Sequence, residues 1–337
     1  MQPFHYERPT RLSDAAERAA TDGAMIYAGG TTMLDLMKLG VYAPSHVIDI
    51  TRLREPNLRT IRRDTKDGGD DLVLGALVTM HEAAEDATVK AEAPAISESL
   101  WLAASQQLRH MATLGGNVLQ RTRDPYFRDP SWAEVITRND PRDSGEPEGA
   151  NRLGAVLGTT ETFLASYPGD FAQSLVAFGA TVEITGPGGS RTLPFDRLHV
   201  LPAERQTPDQ VTRLAPGEII TAFRVALTPA TRRSTYVKVR DRDSYAFANA
   251  SCAAGLAMEG DTVADLRLGL GGVATVPWRA RAAEDVLRGQ RPTDDAIRAA
   301  AEAAFADART FHHNAFKVPL GQNTVVRAIT LLRDMEG

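Results

Sequence analysis

Apolar and polar positions over residues 1–55 predict a short strand, a helix, a second strand, a glycine turn and a second helix. In that second helix Met33, Leu36, Met37 and Gly40 recur at helical spacing and form one face. A β-rich run at residues 47–50 follows the helix. Together these elements predict a small α/β unit at the start of the chain.

Residues 56–228 predict a larger unit in which strands and helices mix. The apolar runs 72–76 and 219–225 predict strands, and Gly-Pro-Gly-Gly at 186–189 predicts a hairpin turn. Thr79 and Glu82 have the spacing of a capping box, which marks the start of a helix. A helix is also predicted over residues 97–107 from one apolar stripe, which comprises Leu100, Trp101, Ala104 and Leu108.

The best candidate for a domain boundary is the Thr-Pro-Ala-Thr segment at residues 228–231. Beyond it, strand-like runs at 234–239, 246–258 and 263–270 precede helical runs at 279–287, 293–306 and 325–334. Strands followed by helices are typical of an α+β unit. We therefore predict an α+β fold with one domain over residues 1–228, in two α/β subdomains of about 1–55 and 56–228, and a second domain over 229–337.

The composition is that of an ordinary globular protein, with 43% hydrophobic and 24% charged residues among 337 and a net charge of -5. This charge gives no reason to expect nucleic acid or an anionic membrane as a partner. The first residues lack the basic start and apolar core of a signal peptide. We expect a cytoplasmic protein, or a periplasmic one if a signal-bearing partner exports it. Cys252, the only cysteine, lies in an apolar run and is expected to be a small buried residue, so neither an internal disulfide nor an all-cysteine cluster can form.

Two glycine-centred segments carry the strongest chemical signal. Ala-Gly-Gly-Thr-Thr occupies residues 28–32, and Thr-Leu-Gly-Gly-Asn occupies residues 113–117. Glycine permits close approach to the backbone, and successive N–H groups form a concavity that favours phosphate. A phosphate at Thr31 and Thr32 would also lie near the positive end of the helix that follows. Either segment alone could be a simple turn, but the pair predicts one extended diphosphate ligand held from two sides.

Five ordered segments resemble one family. They are residues 28–38, 111–117, 216–220, 236–240, and 271–274 with 277–280, and the resemblance covers nearly the whole length of the chain. The family is the FAD-binding medium subunit of the molybdenum hydroxylases, which include xanthine dehydrogenase, aldehyde oxidoreductase and carbon monoxide dehydrogenase. The resemblance implies a two-subdomain FAD-binding domain of the vanillyl-alcohol-oxidase (PCMH) type. It also implies a C-terminal domain of three antiparallel strands and a helical bundle.

A narrower likeness is to the flavin subunit of periplasmic-type bacterial aldehyde oxidoreductases, carried by residues 117–123, 126–129, 151–152, 155–158 and 314–317. In that subgroup four cysteines in the loop after the second glycine motif hold a [4Fe–4S] cluster. Here the long polar loop at 123–150 has no cysteine, and Asp124 stands where the first ligand is expected. Such a cluster needs thiolates, so we predict that it is absent. We expect the loop either to contact another subunit or to have a plain structural role. Its acidic residues are expected to be solvated; they are Asp124, Asp129, Glu134, Asp140, Asp143, Glu146 and Glu148.

The resemblance also assigns residues to FAD. The first motif would wrap the diphosphate, the second would clasp it, and Asp170 would lie near the adenosine or ribose. Ile220 and Lys238 would flank the flavin, where a lysine stabilises the anionic reduced ring. From the residues alone, Asp170 could instead be a helix N-cap and Lys238 a solvated lysine. The full set is Ile26, Tyr27, Ala28, Gly29, Gly30, Thr31, Thr32, Met33, Leu34, His110, Thr113, Gly115, Gly116, Asn117, Asp170, Ile220 and Lys238; no catalytic or metal-binding side chain is assigned.

The implied function is electron transfer within an oxidoreductase. Electrons from a molybdenum cofactor in a large subunit would pass through [2Fe–2S] clusters of a small subunit to FAD in this chain, and then to an external acceptor. The complex would be a heterotrimer or its dimer, and the substrates would be aldehydes or N-heterocycles. Two alternatives stay open: a stand-alone FAD oxidoreductase, and a non-catalytic interaction subunit that keeps the fold.

Overall fold

Three sheets with their helices make up the part of the chain that the computed structural model describes, which is residues 1–65, 68–132, 151–161, 163–207 and 209–335. The first sheet is parallel, with strand order β1-β3-β2. Its elements are β1 (His5–Glu7), α1 (Leu12–Ala19), β2 (Ala24–Tyr27), α2 (Met33–Leu39) and β3 (His46–Asp49). This order confirms the α/β unit predicted at the start of the chain.

The second sheet has five antiparallel strands in the order β4-β5-β8-β6-β7. The predicted turn is confirmed, because Pro187 and Gly188 join β6 to β7 as a two-residue hairpin loop. The strands are β4 (Ile61–Asp64), β5 (Asp71–Gly75), β6 (Thr181–Gly186), β7 (Gly189–Pro194) and β8 (Ile219–Ala226). The helices of this unit are α3 (Met80–Glu85), α4 (Ala87–Glu92), α5 (Pro94–Trp101), α6 (Gln106–Met111), α7 (Leu114–Val118) and α8 (Phe171–Ala177).

The predicted capping box is present at the start of α3. Glu82 N–H donates to Thr79 Oγ1 at 3.1 Å, and Thr79 N–H donates to the Glu82 carboxylate at 2.8 Å. The two bonds satisfy N–H groups that a helix start leaves without partners.

The single helix predicted over residues 97–107 is wrong. Helix α5 ends at Trp101, and Ala104 adopts a left-handed backbone with φ of 48°. Ser105 then starts α6 by accepting a hydrogen bond from Leu108 N–H at 3.3 Å. The apolar stripe does not correspond to one buried helix face, because Trp101 is 47% exposed. A serine cap inside an apolar run therefore divided one helical pattern into two helices.

The C-terminal unit contains the three predicted antiparallel strands and a short fourth one, in the order β12-β11-β10-β9. Cys252 lies at the middle of this sheet, opposite Leu270 and Val237, and is fully buried as predicted. Burial raises the pKa of its thiol above the ordinary range. The elements are α9 (Pro229–Arg232), β9 (Ser234–Val239), β10 (Ala250–Glu259), β11 (Thr262–Gly271), β12 (Trp278–Arg279), α10 (Arg281–Leu287), α11 (Asp294–Ala303) and α12 (Lys317–Arg333).

Candidate functional site

The first glycine motif is the turn between β2 and α2. Gly30 has φ of +71°, and a Cβ there would lie 2.4 Å from the Tyr27 ring. The Tyr27 side chain therefore packs beneath the turn, and only glycine fits above it. Thr32 is the N-cap of α2, but its side chain makes no capping hydrogen bond. The start of this helix thus lacks the side-chain acceptor that usually covers such a position.

The second motif is held differently, because most of its N–H groups already have partners. Leu114 N–H donates to Val78 O and Gly115 N–H to Ala76 O, both at 2.9 Å. Gly116 N–H donates to Thr113 Oγ1 at 3.2 Å. Gly116 is exposed and leaves open space, since a Cβ there would meet only Thr113 Oγ1 within 4 Å, whereas buried Gly115 packs against Ala76.

The two motifs touch each other. A Cβ on Gly29 would lie 2.1 Å from the carbonyl oxygen of Met111, and 2.9 Å from Cα of Ala112. These atoms belong to the backbone just before the second motif, so they cannot rotate away. The absence of a side chain at Gly29 is what lets the two segments meet.

Two cavities of about 270 Å³ and about 590 Å³ adjoin this contact. They share Thr31, Thr32, Ala112 and Gly116, so both glycine motifs form their common wall. The smaller cavity is mainly apolar and includes Ile26, Leu77 and Ile220. The larger one carries charge on its wall, from Asp35, Arg123, Arg128, Asp170 and Arg242.

Most of the residues assigned from the sequence line these cavities. Those on the walls are Ile26, Ala28, Gly29, Gly30, Thr31, Thr32, Met33, Thr113, Gly115, Gly116, Asn117, Asp170 and Ile220. Tyr27, Leu34, His110 and Lys238 are not among the lining residues of either cavity. The exposed His110 ring instead lies 3.8 Å from the ring of His81, centroid to centroid.

Asp170 and Lys238 form a buried ion pair beside the larger cavity. Lys238 Nζ lies 2.7 Å from Asp170 Oδ2, and the two side chains are only 1% and 4% exposed. Tyr236 Oη donates to Asp170 Oδ1 at 2.7 Å, and Lys238 Nζ also donates to Leu102 O at 3.0 Å. Burial raises the pKa of the Tyr236 phenol well above its ordinary value. The interpretation of Lys238 as a solvated lysine is therefore wrong.

Asp170 is also the N-cap residue of α8, as the alternative interpretation supposed, but its side chain makes no capping hydrogen bond. Both carboxylate oxygens point instead to Tyr236 and Lys238. Since a carboxylate offers about four acceptor sites, two remain for a ligand hydroxyl in the cavity.

A second charged cluster on the cavity wall was not assigned from the sequence. Arg128 donates two hydrogen bonds of 2.8 and 3.1 Å to the Asp35 carboxylate, and Arg123 donates a third of 3.3 Å. The Arg128 bonds hold the pKa of Asp35 below its usual value, and burial lowers the pKa of Arg123. Arg123 also stacks over the Phe247 ring at 5.0 Å. Arg128 and Asp35 are 93 residues apart, so local patterns carried no signal of the pairing.

The expectation that Asp124 is solvated is wrong. Its carboxylate accepts hydrogen bonds from Tyr126 N–H at 2.9 Å and Phe127 N–H at 3.3 Å, and burial raises its pKa to about 6. Asp129 is exposed, as expected. Glu134, Asp140, Asp143, Glu146 and Glu148 lie outside the described residues.

Neither a metal centre nor a membrane segment emerges from the described part of the chain. Within it, no three His, Cys, Asp or Glu side chains group in a way that could hold a metal ion. Its helices are too short or too polar to cross a bilayer.

Comparisons with known proteins agree with this architecture. Residues 2–227 match the family model of the FAD binding domain in molybdopterin dehydrogenase, and residues 234–332 match that of the CO dehydrogenase flavoprotein C-terminal domain. The aldehyde oxidoreductase FAD-binding subunit PaoB of Escherichia coli strain K12 is 36% identical, with 99% of each chain covered. The carbon monoxide dehydrogenase medium chain of Afipia carboxidovorans is 29% identical over 90% of this chain and 88% of that one. A solved carbon monoxide dehydrogenase structure from Hydrogenophaga pseudoflava superimposes with a TM-score of 0.73 at 27% identity, covering 98% of both chains.

Proposed function

The chain belongs to the family of FAD-binding domains of the molybdopterin dehydrogenases, and from this premise we propose how it holds FAD and serves its complex. It is an FAD-binding electron-transfer subunit of a multi-subunit oxidoreductase of the molybdenum hydroxylase type. The observation that carries the proposal is the contact between two glycine motifs at the common wall of two cavities. The family matches end and begin on either side of residues 228–233, which supports a domain division at residue 228.

The residues present fit FAD. The larger cavity lies within the usual range of about 300–1,000 Å³ for ligand pockets, and the smaller one shares four of its lining residues. The Asn117 side-chain oxygen is buried without a hydrogen-bond partner, while its nitrogen donates to Met80 Sδ at 3.3 Å. A buried acceptor of this kind calls for a ligand donor, which a ribityl hydroxyl or ring N–H can supply.

The hydrogen bonds of the two motifs indicate that they would bind different parts of the ligand in different ways. The first motif, at the uncapped start of α2, would bind the diphosphate through N–H groups and the Thr31 and Thr32 hydroxyls. The second motif would give the ligand a surface without side chains, because its own N–H groups are largely engaged. When bound, FAD supplies the electron chemistry by accepting and releasing electrons singly or in pairs.

Asp170 and Lys238 would act together, with Asp170 binding the ligand and Lys238 positioning Asp170. Asp170 lines the cavity, and its carboxylate would accept a hydrogen bond from a ligand hydroxyl. Lys238 would hold that carboxylate in place from behind rather than contact the flavin carbonyls directly. Ile220 would contribute an apolar wall in the smaller cavity.

The partners we propose are a large subunit with the molybdenum cofactor and a small subunit with [2Fe–2S] clusters, acting on aldehydes or N-heterocycles. A [4Fe–4S] cluster needs four thiolates, and this chain has one cysteine, which is buried in a sheet. The complex would work in the cytoplasm, or in the periplasm after export with a signal-bearing partner.

The test is anaerobic reduction of the flavin in the purified three-subunit complex. Addition of an aldehyde substrate is expected to bleach the flavin band of the complex but not that of this chain alone. The same aldehyde should bleach the isolated chain only after both partners are added back. Bleaching of the isolated chain would instead indicate a stand-alone oxidoreductase. A stable complex that contains no flavin would indicate an interaction subunit.

A further inference from the structure

The carbonyl oxygen of Val118, at the end of α7, receives two side-chain hydrogen bonds from distant parts of the chain. Tyr167 Oη donates to it at 3.0 Å, and His199 Nε2 lies 3.0 Å from it. Tyr167 and His199 are 49 and 81 residues away from Val118 in sequence. The last carbonyls of a helix have no partner within the helix, so these two side chains satisfy one of them.

Helix α7 depends on such outside contacts because it has only five residues. Its first turn is fixed by the hydrogen bonds of Leu114 and Gly115 to residues 76–78. Its last turn is fixed by Tyr167 and His199 at Val118. Between these two attachments lie Gly116 and Asn117, which form the cavity wall.

The protonation of His199 follows from its surroundings. Its Nδ1 atom is buried without a hydrogen-bond partner, and burial lowers the pKa of the imidazole to about 4. A neutral ring carries one proton, and the carbonyl facing Nε2 requires that proton to be on Nε2. The rings of Tyr167 and Phe195 meet the imidazole edge-on at 4.9 and 5.7 Å and fix its orientation. His199 is therefore a fixed neutral donor.

Tyr167 links this donor pair to the other side of the cavity. Its ring lies so close to Gly169 that a Cβ there would come within 2.5 Å of it. Asp170, which lines the larger cavity, follows directly. The residue that holds the end of the second glycine motif therefore also packs against the backbone that carries Asp170.

From this geometry we propose that His199 and Tyr167 are positioning residues of the FAD site. They hold the second glycine motif at its distance from the first, without touching the ligand themselves. The inference rests on the proposed function of the cleft. It adds two residues that no local sequence pattern had marked.

The test compares His199→Leu, His199→Gln, Tyr167→Phe and the double variant His199→Leu/Tyr167→Phe as full-length chains. FAD affinity is measured by titration of the flavin-free protein, and its melting temperature is measured in parallel. His199→Leu and Tyr167→Phe are each expected to weaken FAD binding about 5- to 10-fold, the effect of one net hydrogen bond. His199→Gln can place an N–H near the former Nε2 and is expected to restore affinity to within about twofold. The double variant should lose more than the product of the single losses, because only then does the Val118 carbonyl lose both donors.

Phe223→Leu is the matched control. Its ring is fully buried and meets the rings of Phe171 and Phe195 edge-on in the same core, so its loss should lower the melting temperature and leave FAD affinity unchanged. Unchanged affinity in the His199 and Tyr167 variants, or equal losses in His199→Leu and His199→Gln, would overturn the inference. If the unaltered chain binds no FAD, the proposed function fails as well, so the two failures are distinguishable.

Discussion

Replacing Gly29 by alanine is expected to weaken FAD binding by about 5- to 150-fold. The added Cβ would lie 2.1 Å from the Met111 carbonyl oxygen, well inside contact distance, and the obstacle is backbone. The two glycine motifs would have to move apart, at a cost of about 1–3 kcal/mol for a packed site. A ligand that binds both motifs loses contacts when they move apart, and each loss of about 1.4 kcal/mol of binding free energy raises the dissociation constant tenfold. The measurement is titration of flavin-free protein with FAD.

Gly188→Ala is the control for Gly29→Ala. Gly188 lies in the β6–β7 hairpin, and no atom would lie within 4 Å of a Cβ there. This variant should bind FAD as the unaltered chain does. Equal affinity in the two variants would contradict the assignment of the ligand to the meeting point of the motifs.

Replacing Asp170 by alanine is expected to destabilise the protein by about 3–5 kcal/mol, because removing one member of a buried ion pair leaves an uncompensated charge. The Lys238 ammonium, whose side chain is only 1% exposed, would keep the Leu102 carbonyl but lose its anionic partner. FAD binding should weaken at the same time, since Asp170 lines the cavity and its proposed acceptor for a ligand hydroxyl is lost. The free energy of unfolding is measured by urea denaturation of the full chain.

The double variant Asp170→Asn/Lys238→Met separates stability from ligand binding. With both charges removed and the side-chain shapes largely kept, most of the lost stability should return. FAD affinity should remain low, because the carboxylate proposed to bind a ligand hydroxyl is gone. Full recovery of FAD affinity in the double variant would show that Asp170 serves only the fold.

The parts of the fold that follow local rules could be predicted from the sequence. Strand and helix order over residues 1–55, the Pro187-Gly188 hairpin and the Thr79 cap depend on positions close together in the chain, and all three are confirmed. The glycine motifs were also visible, because glycine requirements arise from local backbone geometry.

The side-chain partnerships around the cavity could not be predicted in the same way. Asp170 and Lys238 are 68 residues apart, so neither periodicity nor spacing indicated that they pair. Without that contact, Lys238 had the pattern of a solvated strand lysine. The break at Ala104 was missed because Ser105 acts as a cap inside an apolar stripe. In each case a tertiary contact or a cap overrode the local pattern.

The most direct test of the central claim is the visible absorption spectrum of the purified chain, with flavin and iron determined on the same sample. We predict flavin bands that correspond to about one FAD per chain and no stoichiometric iron, since the cleft fits FAD and a single buried cysteine cannot hold a [4Fe–4S] cluster. Failure to retain flavin even after FAD is added would contradict the account of the cleft. Stoichiometric iron would contradict the predicted loss of the cluster.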